Sequence, residues 1–196
     1  RKLLAHLGWP PAPPDENLPG DSVFCTWTQY PRCITQPRVL DMARQIREHA
    51  FPCSTLVIDD RWESCFGELA FSADFPDPKA MVDELHRQDF SVWLWVTPFV
   101  NEESSAFADL ASRDVLVQEG AGRAALLRWW GGTAGLVDVT SPAGRAWYRE
   151  RLTFLRDEIG VDGFKIDGGD FKYQPPAETS LWYDYKGPSG YADALL

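Results

Sequence analysis

The sequence predicts an α/β fold that corresponds to part of a (β/α)8 TIM barrel. Short apolar segments alternate with amphipathic segments of helical spacing in the order β-α-β-α-β, an irregular insertion, then α-β. Such alternation indicates parallel strands joined by helices. Polar or acidic residues follow each strand, where a barrel enzyme carries its active site. No glycine-rich phosphate loop follows the first strand, which disfavours a doubly wound nucleotide-binding sheet. The chain is therefore predicted to hold about the first four βα units of a barrel.

The first half of the chain supplies three predicted strands and two predicted helices. A β-branched and aromatic run predicts a strand at residues 22–30, and apolar side chains behind a proline predict a helix at 37–50. A short apolar run at 54–60 predicts the second strand and ends in two carboxylates. Residues 78–88 predict a second amphipathic helix, and residues 91–99 predict a third strand. Helices therefore join consecutive strands, as parallel pairing requires.

An irregular stretch separates the third strand from the last predicted helix. It spans residues 101–139, where neither helical nor strand periodicity is sustained. Within it, residues 102–112 predict a short helix and residues 123–130 predict one arm of a β-hairpin. Ser141 is then a suitable N-cap and Pro142 suits the first position of a long helix that ends near residue 159.

The fourth predicted strand, residues 161–167, ends in the most informative motif of the chain. Strand alternation places Lys165 and Asp167 on one face, and Phe164 and Ile166 on the other. A cation two residues from a carboxylate favours the ionised form that a nucleophile needs. A structural salt bridge is the alternative reading of the same pair, and the motif alone leaves both open.

The overall composition excludes several classes of partner. Nineteen basic and 29 acidic residues among 196 give a formal net charge of -10, which argues against nucleic acid and anionic membranes. No run of about 18 apolar residues predicts a membrane span. The cysteines form no CxxC pair and have no metal-type spacing with the histidines, so no metal site is expected and either two disulfides or none remain open. These residues are Cys25, Cys33, Cys53, Cys65, His6, His49 and His86.

The two ends of the chain suggest an excerpt of a longer protein. Residues 1–21 are rich in proline with interspersed acidic residues, which is typical of a linker or the tail of a preceding domain. Residues 22–196 are predicted to form the N-terminal half of the barrel domain. The chain begins at Arg1 without an initiator methionine or signal-peptide pattern, and its last residues resemble a helix cut in mid-turn.

Five ordered blocks of the chain resemble glycoside hydrolase family 31. They lie at residues 58–60, 74–86, 93–101, 138–142 and 164–170, and are distributed across about residues 22 to 175. The run Arg128-Trp129-Trp130 and the FKxD form of the fourth strand point to the branch that includes the myogenesis-regulating glycosidase. The WxDMNE-like fourth strand usual in the α-glucosidase branch is absent from this sequence.

The resemblance implies a retaining α-glycosidase that needs no cofactor. Retention requires a carboxylate nucleophile and a carboxylic acid about 5 to 5.5 Å apart. By residue match, Asp167 is the nucleophile, and Lys165 would hold it ionised. Asp59 and Asp60 would accept hydrogen bonds from sugar hydroxyls, although a solvated turn or a helix N-cap cluster is their alternative reading.

Tryptophan is abundant, with nine residues, and indole faces can stack on sugar rings or simply fill a core. The resemblance makes Trp27, Trp95 and Trp129 candidate walls of the cleavage subsite. Trp93 shares a strand face with Trp95, so one of the two is expected to reach the site while the other packs lower in the barrel. Trp129 and Trp130 are adjacent, so at least one of them is expected to be structural.

The sequence departs from the family pattern at two points. Asp170 stands where a glutamate usually follows the nucleophile motif. The general acid/base of the family lies on a later strand, beyond residue 196, and neither Asp184 nor Asp193 is assigned to it because both come too early. Asp138 precedes the long helix and is expected to be structural. The 196-residue chain alone is therefore expected to be inactive.

Three functional readings follow from these observations. The first is a retaining α-glycosidase acting on a terminal α-linked sugar, with an α-galactoside favoured over an α-glucoside by the branch resemblance. The second is a non-catalytic, glycosidase-like protein that binds sugar or regulates, which the change at Asp170 makes conceivable. The third is a half-barrel that pairs with another chain through its open strand edge. The resemblance further suggests the endoplasmic reticulum or secretory pathway, and the oligomeric state stays open.

Overall fold

The computed structural model describes residues 20–119 and 122–168. The proline-rich segment assigned to residues 1–21 lies almost wholly outside these residues, as do Asp170, Asp184 and Asp193. No helix within the described ranges combines the length and apolar character needed to cross a lipid bilayer.

The first half of the chain forms the predicted alternation. Its elements are strand β1 (Ser22–Cys25), helix α1 (Gln36–Glu48), strand β2 (Cys53–Ile58), helix α2 (Pro78–Arg87) and strand β3 (Ser91–Val96). Both helices place a proline at their first turn, where a missing N–H costs nothing. The side chain of Asp77 caps α2 by accepting a hydrogen bond from Ala80 N at 2.9 Å.

The first predicted strand is shorter than expected. It ends at Cys25, and Thr26–Thr28 form a 3-10 turn instead of continuing to residue 30. The Thr28 hydroxyl donates to the Cys25 carbonyl at 2.9 Å, and Tyr30 N donates to the Thr26 carbonyl at 2.8 Å. Threonine side chains thus satisfy the backbone locally and favour a turn over a further strand pairing.

The insertion is a small antiparallel unit beside the barrel sheet. It contains strand β4 (Phe99–Asn101), helix α3 (Phe107–Ser112), the two-residue strands β5 (Gln118–Glu119) and β6 (Arg123–Ala124), and strands β7 (Leu126–Trp129) and β8 (Gly132–Leu136). The expected hairpin is present, since β7 and β8 pair antiparallel, and β4 joins them on the other side of β8.

Two predictions for this region were wrong in their boundaries. The third strand was expected to reach residue 99, but Pro98 has no N–H to continue the parallel ladder, so β3 ends at Val96 and Phe99 begins a strand of the other sheet. The helix expected at 102–112 begins only at Phe107, because Ser104 N donates to the Asn101 carbonyl in a turn that precedes it.

The long helix and the last strand follow the insertion. Helix α4 (Pro142–Phe154) begins as predicted, with the Ser141 hydroxyl accepting from Gly144 N at 2.9 Å. Its last turn, Leu155–Ile159, widens to π-helical hydrogen bonding and stops at Gly160, whose φ of 95° is left-handed. Strand β9 (Gly163–Ile166) comes directly after.

The four barrel strands form one parallel sheet in the order β1-β2-β3-β9, which confirms the predicted parallel arrangement. The register aligns Ile58 with Leu94, and Trp95 with Lys165, so the residues after each strand meet at one edge of the sheet. Apolar side chains of α1 and α2 are buried in the core that also takes the buried strand residues Leu56, Val92 and Leu94. This arrangement brings the polar strand ends together.

Candidate active site

An ion pair between two strand ends lies at the centre of this edge. Lys165 on β9 places its Nζ 2.7 Å from Oδ2 of Asp59, which follows β2. The Asp59 side chain is 5% exposed, whereas that of Lys165 is 43% exposed. Partial burial acts to lower the pKa of Lys165, but the hydrogen bond and charge of Asp59 outweigh it and raise that pKa. Lys165 is therefore held in its charged form.

This contact differs from the pairing expected for Lys165. Among the described residues, no carboxylate oxygen of Asp167 lies within 4 Å of the Lys165 ammonium, although the charge of Asp167 still contributes to the raised pKa of Lys165. The physical reason is the register of the sheet. Trp95 is aligned with Lys165, and Asp59 continues the strand that is aligned with β3, so Lys165 and Asp59 lie at the same level.

Two further donors bind the Asp59 carboxylate, and a third contact fixes the Asp59 backbone. The Cys25 thiol donates to Asp59 Oδ2 at 3.0 Å, and Asp60 N donates to Asp59 Oδ1 at 2.9 Å. Asp59 N in turn donates to the Thr26 hydroxyl at 2.9 Å. Burial, followed by the bond to Asp59, raises the pKa of Cys25 to about 11, so the thiol remains a donor. Cys25 was not assigned to the site from the sequence, where a single cysteine at a strand end gives no signal.

Asp60 is buried but less completely satisfied than Asp59. Its Oδ1 lies 3.6 Å from Arg61 Nε and accepts no hydrogen bond from the part of the chain that the structure describes. Burial raises the pKa of Asp60; the positive charge of Arg61 opposes this, and the neighbouring Asp59 adds to it. Since both aspartates are buried at the strand ends, they are not the solvated turn that the sequence left open.

The carboxylate of Asp167 is oriented by two N–H donors. The indole Nε1 of Trp95 donates to Asp167 Oδ2 at 3.0 Å, and Gly168 N donates to Asp167 Oδ1 at 2.7 Å. Trp95 is itself fixed, since its carbonyl accepts a hydrogen bond from the Trp62 indole at 2.7 Å. Asp167 N continues the sheet by donating to the Val96 carbonyl at 2.9 Å. The carboxylate therefore has a defined orientation at the sheet edge.

Trp93, the other tryptophan of β3, was expected to pack lower in the barrel than Trp95. It lies two residues before Trp95 on the strand, and its indole Nε1 donates to the Ser91 hydroxyl at 3.1 Å. It is aligned with Gly163 on β9, and a Cβ atom at position 163 would come within 2.8 Å of the Trp93 ring. The close approach of the Trp93 ring therefore requires glycine at position 163.

Trp129 belongs to an aromatic cluster that connects to Trp95 through Phe66. Its ring stacks on Phe99 with centroids 4.5 Å apart, meets Phe66 edge to face at 4.9 Å, and its indole N–H donates to Asn101 Oδ1 at 2.9 Å. Phe66 lies 5.7 Å from Trp95 by ring centroids. Because Trp129 is only 7% exposed, little of its ring remains for contact with a ligand.

Two of the tryptophans that the structure describes are exposed: Trp27 has 46% and Trp130 has 47% of its surface accessible to solvent. Trp27 sits in the turn after β1, next to Thr26, whose hydroxyl binds Asp59 N. The structure thus brings Asp59, Asp60, Trp95, Lys165 and Asp167 together, places Trp27 beside them, and places Trp129 in the adjoining cluster. Asp138 caps its own turn by accepting from Thr140 N at 3.0 Å, which fits the structural role expected for it.

A buried glutamate that sequence reasoning missed lies in the loop after β2. Glu63 Oε2 accepts hydrogen bonds from Gly67 N at 3.2 Å and Leu69 N at 2.6 Å. Burial raises the pKa of Glu63 to about 8, against the opposing effect of these two donors. The same loop carries Phe66, whose carbonyl accepts from Asn101 N at 3.0 Å. A glutamate in a polar stretch of sequence gives no sign of burial, so only the fold reveals it.

The described residues hold no group of three or more histidine, cysteine, aspartate or glutamate side chains suited to a metal ion. All four cysteines are free thiols. The groups at the sheet edge include the carboxylates, the Lys165 ammonium group, the Trp95 indole N–H and the Cys25 thiol.

Comparison with known proteins identifies what this arrangement resembles. The model of the glycosyl hydrolases family 31 TIM-barrel domain matches residues 16–193. The chain is 38% identical over 172 residues to the mouse myogenesis-regulating glycosidase, covering 83% of this chain and 24% of that protein. It is 30% identical to a 1,3-alpha-isomaltosidase of Kribbella flavida, covering 79% of this chain and 25% of that protein. The chain thus spans about a quarter of the length of these relatives.

Solved structures show the same fold. The cycloalternan-degrading enzyme from Trueperella pyogenes superposes with a TM-score of 0.73 at 23% identity, over 98% of this chain and 32% of that one. A family 31 dextranase of Flavobacterium johnsoniae, complexed with glucose, gives a TM-score of 0.67 at 22% identity, over 76% of this chain and 18% of that one. The partial TIM barrel predicted from the sequence is thereby confirmed.

Proposed function

This chain belongs to glycosyl hydrolase family 31, a family of O-glycoside hydrolases, and from that premise we propose that the whole protein is a retaining α-glycosidase. It would release a terminal α-linked sugar through a covalent glycosyl-enzyme. The observation that carries the proposal is the position of Asp167. It follows β9 at the carboxyl edge of the parallel sheet, oriented by the Trp95 indole and by Gly168 N.

The proposed reaction has two steps. Asp167 attacks the anomeric carbon while the bond to the leaving-group oxygen breaks, and a carboxylic acid gives that oxygen a proton. Water then attacks the same carbon, the conjugate base takes its proton, and the bond to Asp167 breaks. We assign the acid/base to a later strand outside this chain, and for that reason we propose that the 196-residue chain alone is inactive.

The remaining polar residues are proposed to position the sugar. The Asp59–Lys165 pair offers both an acceptor and a donor within one fixed contact of 2.7 Å, which suits neighbouring hydroxyl groups of a ring. Asp60 Oδ1 offers a buried acceptor that no described residue uses. Trp95 and Trp27 are the proposed apolar walls, whereas Trp129 would act by supporting Phe66.

An α-galactoside is the proposed substrate in preference to an α-glucoside. This preference rests on the resemblance of Arg128-Trp129-Trp130 and of the FKxD strand to the branch that includes the myogenesis-regulating glycosidase. Other relatives include alpha-xylosidases, so the sugar has to be identified by experiment.

The test is intact-protein mass spectrometry of the whole protein after incubation with fluorinated α-galactosyl or α-glucosyl trapping reagents. We expect the mass to increase by one sugar in the wild type and to stay constant in Asp167→Ala, and the reagent that labels names the sugar. Absence of labelling by either reagent in folded protein would overturn the proposal. It would favour the non-catalytic sugar-binding or regulatory alternative.

A further inference from the structure

A cavity of about 610 Å³ lies between the turns that follow β1 and β2 and the insertion, next to the proposed cleavage site. Its walls include three arginines, Arg32, Arg38 and Arg61, and we call it the arginine cavity. Arg32 and Arg38 in its wall are exposed to solvent, so a ligand group can enter it.

The charges of two of these arginines are not neutralised by the protein. Among the residues that the structure describes, neither Arg32 nor Arg38 has a carboxylate oxygen within 4 Å, and Arg61 reaches Asp60 only at 3.6 Å. Arg44, which lies on the same helix as Arg38, contacts both Asp41 and Glu48. On helix α1, Arg44 is therefore engaged in local ion pairs, whereas Arg38 is not.

The carboxyl groups that share the cavity are not paired with Arg32 or Arg38. They belong to Glu63, Asp74 and Glu103. Burial raises the pKa of Glu63 to about 8, so this carboxyl is neutral at pH 7. Glu103 Oε1 accepts a hydrogen bond from the Asn101 amide at 3.0 Å. With Arg61 opposite Asp60, Arg32 and Arg38 equal Asp74 and Glu103 in number, but neither arginine has a carboxylate oxygen within 4 Å among the described residues.

Two of the arginines are held in place by aromatic rings. The Arg38 guanidinium lies 5.6 Å from the centroid of the Tyr30 ring and donates to the Cys33 carbonyl, and the Arg61 guanidinium lies 5.0 Å from the Phe66 ring. A guanidinium that stacks on a ring keeps its N–H donors in its own plane. Those donors match the oxygens of a carboxylate, a sulfate or a phosphate.

The arginine cavity adjoins the residues proposed to act on the sugar. Arg61 directly follows Asp60, and Phe66 in the cavity wall lies 5.7 Å from Trp95, which binds Asp167. We propose that the arginine cavity is the leaving-group subsite of the glycosidase, and that the group it takes is a sugar bearing a carboxylate, sulfate or phosphate. This inference rests on the proposed function and adds the chemical class of the leaving group.

The test compares three disaccharides in the whole protein. Each carries the terminal α-sugar selected by the trapping experiment, linked to glucose, to glucuronic acid or to glucose 6-sulfate. We expect kcat/KM for at least one charged substrate to exceed that for the neutral one by about tenfold, because charge-assisted hydrogen bonds are the stronger ones. The ratio should fall as NaCl is added, since salt screens half-exposed charges, and the two charged arms distinguish carboxylate from sulfate.

Arg38 and Arg44 lie on the same helix and supply the matched comparison. In Arg38→Gln, and also in Arg32→Gln, the ratio of charged to neutral kcat/KM should approach one. In Arg44→Gln the ratio should stay at the wild-type value, because Arg44 does not line the cavity. A wild-type ratio near one, or an equal loss in Arg44→Gln, would overturn the inference.

Calorimetric binding of the same disaccharides to Asp167→Ala separates this inference from the proposed function. If no disaccharide is hydrolysed, the proposed function fails, and the charged-to-neutral ratio of Kd still tests the cavity. If a charged disaccharide binds more tightly and this advantage is lost in Arg38→Gln, the arginine cavity is an anionic saccharide site. Equal Kd values for the charged and neutral disaccharides would overturn that assignment.

Discussion

The ammonium group of Lys165 on β9 donates to the Asp59 carboxylate that follows β2, and this contact crosses over the intervening strand β3. Trp95 on β3 is aligned with Lys165 and sends its own N–H to Asp167. The ion pair and the indole donor therefore tie three neighbouring strand ends into one unit. Disturbing either contact should affect the geometry of the whole edge.

Lys165→Met is expected to destabilise the protein, because it leaves the buried Asp59 carboxylate without its cation. We expect a loss of about 1–2 kcal/mol in the free energy of unfolding, less than for a fully buried pair because solvent screens the half-exposed ammonium. Urea unfolding of the whole protein measures it. The matched control is Lys79→Met, which breaks the exposed pair with Asp83 and should have a much smaller effect, because solvent screens that pair. Equal losses in the two variants would contradict the structural importance of the Lys165 contact.

Trp95→Phe should slow formation of the proposed glycosyl-enzyme while leaving the fold intact. The change removes the indole donor from Asp167 Oδ2 and keeps an aromatic ring in place. Loss of a hydrogen bond to a charged group predicts a rate about 10- to 100-fold lower. The rate of labelling by the trapping reagent is the measurement. Trp93→Phe is the control on the same strand face, since its N–H binds Ser91, and an equally slow Trp93→Phe would show that the Trp95 donor is not the cause.

Glu63 should make stability fall as pH rises. Its pKa is about 8 in the folded protein, against an ordinary value of 4.5. Below about pH 4.5 both the folded and the unfolded states are protonated, so the contribution of Glu63 is fully present. Between the two values the unfolded state loses its proton and the folded state keeps it, so stability decreases until about pH 8.

The measurement is the urea midpoint of the wild type and Glu63→Gln from pH 4 to pH 9. Glutamine resembles the protonated carboxyl, so the decline caused by Glu63 should disappear in the variant. Other charged groups near Glu63, namely Asp60 and Glu68, remain in both proteins and cancel in the difference. Glu68→Gln is the control from the same loop, where the carboxyl binds Ser105, and it should keep the wild-type decline. An unchanged slope in Glu63→Gln would show that Glu63 is ionised in the folded state.

Gly163→Ala is expected to destabilise the sheet by about 1–3 kcal/mol, the usual cost of overpacking a well-packed site. The added Cβ would meet the Trp93 ring at 2.8 Å, which forces the indole or the strand to shift. Thermal unfolding of the variant checks this. Gly20→Ala is the control, because nothing lies within 4 Å of a Cβ there and its effect on Tm should be close to zero. A neutral Gly163→Ala would mean that Trp93 moves without cost.

Local signals in the sequence predicted much of this fold. Ser141 and Pro142 mark the start of α4 because an N-cap hydroxyl and a proline act within one turn. The alternation of apolar runs and amphipathic segments predicted the parallel sheet for a similar reason, because the spacing of buried residues is a local property of each helix or strand. Asp59, Asp60 and Asp167 stand at the ends of such runs, but their roles in the site were assigned from the family resemblance.

Contacts between distant elements were not predictable in the same way. The partner of Lys165 depends on the register between β3 and β9, which no single strand encodes. The burial of Glu63 depends on a loop closing over its carboxyl, and the donor from Cys25 depends on β1 lying beside β2. The third strand was predicted to continue through Pro98 to residue 99, whereas Phe99 pairs with Leu136 on β8, a tertiary contact that the apolar run does not encode.

The departure of β4 from the barrel sheet also divides the insertion into strands that support the site and an outer pair that does not. The chain leaves the barrel after Val96, and the insertion returns to the barrel loops through Asn101, whose N–H binds the Phe66 carbonyl. The β5–β6 pair belongs to neither the barrel sheet nor the β4-β8-β7 sheet. Changes in the length or composition of that outer pair would thus be tolerated without moving the Phe66–Trp129 contact. The outer β5–β6 pair is in this sense separable from the reacting centre, whereas β4 and β7 carry the Asn101 and Trp129 side chains that support it.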